Sequence, residues 1–187
     1  MTHTVPAGKP WRYPVLSVLG TAVLVHIVAV WFTPYLVMKV LMDGPIAQSM
    51  HMHNQAAFPP PVDAKVRTVV MPSPDLLYSV CVYDLAKGPV RISANPRLSS
   101  YWSIALYASN SDNFFVVNDQ KAAGKAVNLL LVSGPGGTVP DTTSSGSQVV
   151  VSPSTKGLLL MRVLVGDYPT EKAVLEASRR TLVCQEI

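Results

Sequence analysis

The sequence predicts a mainly β chain, an exported antiparallel β-sandwich or open barrel with a C-terminal helix, preceded by one transmembrane α-helix. Three observations predict it. Residues 15–38 are an apolar run without a formal charge, residues 66–165 carry short apolar runs at strand period, and residues 169–182 read as a helix. These divide the 187 residues into a cytoplasmic N-terminus (1–14), a transmembrane helix (15–38), a Pro-containing linker (39–65) and an exported β domain (66–187).

The anchor rests on length and charge. As a helix, residues 15–38 reach about 36 Å, enough to cross a hydrocarbon core of about 30 Å. Charged residues make up 14% of the chain, against roughly 25% in soluble domains, and the deficit is concentrated at this end. Trp11 and Tyr13 on one side, and Trp31, Phe32 and Tyr35 toward the other, sit where aromatic rings favour the membrane interface. Pro34 lies near the far end, where a kink costs fewer helical hydrogen bonds. A cleavable signal peptide is the competing reading, but its apolar region would be shorter and end in a small-x-small site. Lys39-Val40-Leu41-Met42-Asp43-Gly44-Pro45 offers no such site, which favours a retained anchor. Lys9, Arg12 and the terminal amine precede the helix, whereas Lys39 and Asp43 offset each other beyond it. The positive-inside tendency then keeps the N-terminus cytoplasmic and exports the chain beyond the helix.

The linker ends near Pro59-Pro60-Pro61, which favours a stiff polyproline II spacer holding the domain off the bilayer. Beyond it, strands are expected at residues 66–71, 76–84, 89–94, 101–108, 114–118, 127–133, 148–152 and 158–165. Turn chemistry separates them: Pro72-Ser73-Pro74, Lys87-Gly88-Pro89, Asn95-Pro96, residues 109–113, and the Gly-rich stretch 133–137. That last stretch lacks the Gly-Lys-Ser/Thr ending of a phosphate-binding loop and is read as a turn. In residues 101–107, Trp102, Ile104 and Leu106 should face the core while Tyr101, Ser103, Ala105 and Tyr107 face away. Asp167 or Thr170 can cap the final helix, Pro169 suits its first turn, and Arg179 and Arg180 complement its C-terminal dipole.

Ser73-Pro74-Asp75-Leu76-Leu77-Tyr78-Ser79, Tyr83-Asp84-Leu85-Ala86-Lys87-Gly88-Pro89-Val90, Tyr101-Trp102-Ser103-Ile104-Ala105-Leu106-Tyr107 and Asp112-Asn113-Phe114 follow one another in order. This run resembles the 1254 domain-of-unknown-function family over roughly residues 66–165. The resemblance implies a bacterial inner membrane and a periplasmic domain, and supplies no activity. Larger members continue into a second β domain, the 1214 family, which implies a separate companion carrying that domain as a partner. Larger members also have Asn and Thr flanking the motif aspartate, where Ser73 and Leu76 stand here.

Composition excludes several chemistries. The net charge of +4 is dispersed, with Arg179-Arg180 the only close cluster, so no basic stripe marks nucleic acid binding. All four histidines (His3, His26, His51, His53) precede the β domain, which removes Ser-His-Asp and Cys-His catalysis and His-based metal sites from it. Asp75, Asp84, Asp112 and Asp119 are separated and each lies near a turn, so a catalytic carboxylate pair is not indicated. The chain is therefore expected not to be an enzyme.

Three features invite binding hypotheses. Met50-His51-Met52-His53 offers thioether and imidazole donors suited to copper, although an ordinary linker explains it as well. His26 lies inside the apolar run, where an ionisable side chain faces protein, cofactor or water. A hydrogen bond to a neighbouring helix accounts for it; axial ligation of haem or a chlorophyll-type pigment, with Ala22 making room, is the alternative. No other cofactor is indicated. Tyr101, Trp102 and Tyr107 could form an aromatic binding surface. Cys81 and Cys184 are the only cysteines, and in an oxidising compartment they read as a disulfide pinning the terminal helix to the sheet. The expected function is an accessory, assembly or interaction subunit of an inner-membrane complex, respiratory or photosynthetic complexes included; the alternative is a periplasmic binding module for a small molecule, lipid or glycan.

Overall fold

The computed structural model describes residues 11–67, 71–134 and 146–187. In chain order the elements are α1 (Arg12–Asp43), α2 (Pro45–Ser49), β1 (Leu76–Asp84), β2 (Val90–Ala94), β3 (Trp102–Ala108), β4 (Asn113–Asn118), α3 (Asp119–Ala122), β5 (Val127–Ser133), β6 (Gln148–Ser152), β7 (Lys156–Leu164), α4 (Tyr168–Arg179) and β8 (Val183–Glu186). A first sheet runs β1-β7-β3-β4 and a second runs β6-β5-β2-β8. The fold is a mainly β sandwich with helices at both ends of the chain. The sheets are not purely antiparallel: β5 and β6 pair in parallel, because the stretch between them is long enough for the crossover that parallel strands need. The strand expected at residues 66–71 centres on residues 68–70, outside the described residues, as does most of the Gly-rich stretch after Ser133.

Side-chain alternation builds the core. Leu77, Cys81 and Tyr83 of β1, Leu159, Met161 and Val163 of β7, and Trp102, Ile104 and Leu106 of β3 meet Val90, Ile92, Leu129, Leu131 and Val150 of the second sheet. Tyr83, Ile92, Ile104, Leu106, Leu129, Leu131, Leu159 and Met161 have almost no exposed surface, so side chains fill the space between the sheets. Tyr83 is seated over Gly157, where a Cβ would overlap its hydroxyl and the Tyr107 carbonyl. Its hydroxyl donates to the Tyr107 carbonyl (3.0 Å) and lies 3.0 Å from the Ser152 hydroxyl of the other sheet. Burial pushes the phenol pKa up, and the hydrogen bonds to Ser152 and Ser154 only partly oppose it, so the group stays neutral.

Cys81 and Cys184 form a disulfide with a Cα separation of 6.6 Å. Its role is not the expected one. α4 ends at Arg179 and the chain then makes a further strand, β8, which pairs with β2. The bond therefore joins β1 of one sheet to β8 of the other. It closes a loop of 103 residues, worth roughly 4–5 kcal/mol on the chain-entropy account.

The linker departs most strongly from the sequence expectation. α1 does not stop at Met38 but continues to Asp43, and Met38 and Met42 are buried against Val82 in a second apolar cluster with Ala47, Met52 and Ala57. Gly44 permits the break into α2, since a Cβ there would overlap the Val40 carbonyl. The segment after α2 lies along the free edge of β1. The Asn54 amide donates to the Val82 carbonyl (2.8 Å), the Val82 amide to Met52 (2.8 Å), and Ala57 and Val80 exchange bonds of 2.7 and 2.9 Å. The Asn54 side chain donates to the Asp84 carbonyl and accepts from its amide. Far from being a spacer, residues 52–57 satisfy the backbone groups that an edge strand leaves open.

Candidate functional site

The junction between α1 and the first sheet is the most built feature outside the core. Tyr107, Leu158 and Val82 are register partners across β3, β7 and β1, forming one row on the outer face. Met38 and Met42 cover this row, with Leu41, Met50 and Val80 at its margin. Lys156 ties the rim, reaching Asp43 at 3.1 Å and Asp84 at 3.5 Å. Its pKa is raised first by the hydrogen bond to Asp43, with the charges of Asp43 and Asp84 adding to it against partial burial. Along the outer face, the Arg162 guanidinium donates to the Tyr107 hydroxyl (2.7 Å).

A second clamp fixes the other end of the same segment. Arg179 is buried and donates to the Pro59 carbonyl (2.7 Å) and the Tyr78 carbonyl (2.8 Å), while pairing with Glu176 at 2.7 Å. Burial raises the Glu176 pKa, but its hydrogen bonds and charge interactions with Arg179 outweigh that and leave it lowered. Arg180 stacks over the Phe58 ring at 5.1 Å. Residues 38–59 are thus held from α1 to α4.

The membrane-candidate part of α1 is bare by contrast. It is one helix long and apolar enough to cross a membrane, and its span is unburied. Pro34 leaves the Val30 carbonyl without its helical donor, and the Thr33 hydroxyl donates to the neighbouring Ala29 carbonyl (2.6 Å). A shallow groove on one side is lined by Ser17, Val18, Thr21, Ala22, Val25, His26 and Ala29. His26 therefore sits among small residues, on the face where another helix could come closest.

The remaining sequence candidates are dispersed. Met52 is buried under the β1 edge and Met50 joins the margin of that cluster, while His51 and His53 are exposed. The four side chains are therefore not one donor set, because the packing of α2 onto β1 consumes the thioethers. Among the described residues no three His, Cys, Asp or Glu side chains group as a metal site. Trp102 is 3% exposed and belongs to the core. Tyr101 and Tyr107 lie on the opposite face, so the three aromatic residues make no common surface.

The fold and the junction together define a β-sandwich domain that carries an apolar N-terminal helix as part of its own packed surface. The chain belongs to the family described as protein of unknown function, DUF1254, which matches residues 50–186. That match begins at Met50, so the segment seated on β1 lies within the family domain, beyond the 66–165 limits read from the motifs. The fold is similar to that of the VPA0106 protein from Vibrio parahaemolyticus, with a TM-score of 0.61 and 16% identity over 84% of this chain and 36% of that one. An uncharacterized protein from Burkholderia cenocepacia is similar with a TM-score of 0.45 and 17% identity over 69% of this chain and 36% of that one. The chain thus spans about a third of the length of these solved proteins. No curated protein matches.

Proposed function

We propose that the chain is a non-enzymatic, single-span protein of the bacterial inner membrane whose periplasmic β domain is an accessory, assembly or interaction subunit of a membrane protein complex. The observation that carries this reading is the burial of Met38 and Met42 on the β domain. A cleaved signal sequence ends in a short site that a peptidase can reach. Here the residues following the apolar run are packed, hydrogen-bonded and ion-paired to the domain, so cutting between them would strip its surface. That supports an anchor which is kept.

The subunit role is supported by His26. An ionisable side chain in hydrocarbon turns to protein, cofactor or water, and Ser17, Thr21, Ala22 and Ala29 let a partner helix approach closely beside it. An imidazole hydrogen-bonded to that helix is the role we assign; tetrapyrrole ligation is the other chemistry the position allows. A companion carrying a 1214-type domain fits the greater length of the solved relatives. A small-molecule site inside the sandwich has no support from its filled interior. The test is purification of the intact protein from native membranes in mild detergent. A stoichiometric membrane companion that is lost in His26→Leu, with the β domain still folded, is expected. Elution alone and colourless from both wild type and variant would overturn the subunit role.

A further inference from the structure

We propose that Leu36, Val37 and Val40 of α1 form a lipid-contacting patch that seats the β domain directly on the bilayer surface. The proposal rests on the membrane-span reading above. A hydrocarbon core of about 30 Å uses about 20 helical residues, which from Val15 ends near Pro34. α1 nevertheless continues unbroken to Asp43, a further 13 Å or so at 1.5 Å per residue. On this extension one side, Met38, Leu41 and Met42, packs on the first sheet. The other side stays apolar and open: Leu36 is 63% exposed, Val40 61% and Val37 42%. Leu36 and Val40 are one helical turn apart on a single face.

Water is an unfavourable neighbour for such a patch, and the sequence names a better one. Leu36 and Val37 continue the uncharged run of residues 15–38, so they begin where the lipid already is. The interfacial layer of a bilayer is about 5–7 Å thick on each side, which reaches to about Val40. Lys39, exposed between them, can extend its ammonium to lipid phosphates while its stem stays apolar. The junction is packed at Met38 and Met42, so the domain has no slack with which to lift away. The patch therefore behaves as an interfacial amphipathic element, and the rim made by Asp43, Lys156 and Asp84 lies on its water side.

The experiment uses the full chain in phosphatidylcholine–phosphatidylglycerol vesicles, with an environment-sensitive fluorophore on single added cysteines. Cys81 and Cys184 are bonded to each other and do not react. Val40→Cys is expected to give blue-shifted emission that loses most of its intensity to lipids carrying a nitroxide near the headgroup. Lys172→Cys, on the exposed side of α4, is expected to stay water-like, and Val28→Cys is expected to be quenched by deep nitroxides. Water-like emission at residue 40 with lipid-buried emission at residue 28 would overturn the patch and leave the span standing. Water-like emission at residue 28 as well would overturn the span, and the patch with it.

Discussion

The two parts of α1 are similarly apolar and stand in opposite surroundings. From Arg12 to Thr33 every residue is exposed; within the next ten residues Met38 and Met42 fall to 4%. Among the described residues the first part packs on nothing, and it is long and apolar enough to cross a membrane. The second part uses the same kind of side chain as mortar between the helix and an outer sheet face. One continuous helix thus passes from fully exposed to packed on protein without changing its sequence character. The transition falls near Pro34, where the helix loses a backbone donor and the exposure pattern turns two-sided.

The widest gap between the two parts should appear on truncation. Removing residues 1–32 deletes only exposed side chains of the described helix, and the unfolding midpoint of the β domain should stay that of the full chain. Removing residues 1–43 takes away Met38 and Met42, each worth about 1.5–3 kcal/mol of burial. It should cost about 3–6 kcal/mol in denaturant unfolding and expose Val82, Leu158 and Tyr107 to aggregation. Single substitutions sharpen the contrast. Met42→Ala should destabilise the domain by about 2–5 kcal/mol, whereas Leu24→Ala should leave its denaturation curve unchanged.

Smaller effects come from the clamps at either end of residues 38–59. Arg179→Met removes the hydrogen bonds from a charged donor to the Pro59 and Tyr78 carbonyls and should speed proteolysis after Pro59. Glu176 titrates below its ordinary range because its pairing with Arg179 outweighs burial. The stability it gives is present above the usual carboxylate pKa and is lost as pH falls through the lowered value. Acid unfolding should therefore begin at α4, and Glu176→Gln should flatten that part of the pH profile. The smallest effect belongs to Lys156, whose partly exposed pairs are worth under about 1 kcal/mol. Its pKa is raised chiefly by the hydrogen bond to Asp43. The contribution is complete below the ordinary lysine range and fades as pH rises through the raised value. Lys156→Met should abolish that alkaline loss, read as the midpoint of thermal unfolding across pH.

Much of the sandwich was legible because its strands alternate cleanly between turn residues. β1, β5 and β6 begin and end where the pattern of Leu76–Asp84, Val127–Ser133 and Gln148–Ser152 places them. β8 was not legible: four residues beside a helix, with only Cys184 buried, give too few alternations to register. α3 was missed for the same reason, although Asn118 caps it by accepting from the Lys121 amide. The junction was hidden by composition. Methionine, histidine and proline suggested an ordinary linker ending in a stiff spacer, and nothing local announces that Ala57 pairs with β1, a strand well along the chain. A signal did exist, since Met38, Leu41 and Met42 continue the helical spacing past the end of the uncharged run. Tyr101 and Tyr107 were correctly placed outside and Trp102 inside, which by itself rules out a shared aromatic surface.

The central claim is that α1 stays attached because its last turns belong to the β domain. Intact-mass measurement of the protein from separated membrane and soluble fractions tests it most directly. The account predicts a membrane-bound species that retains α1 and carries the Cys81–Cys184 bond, released by detergent but not by high salt or alkali. A shorter soluble species beginning after Met38 would contradict it.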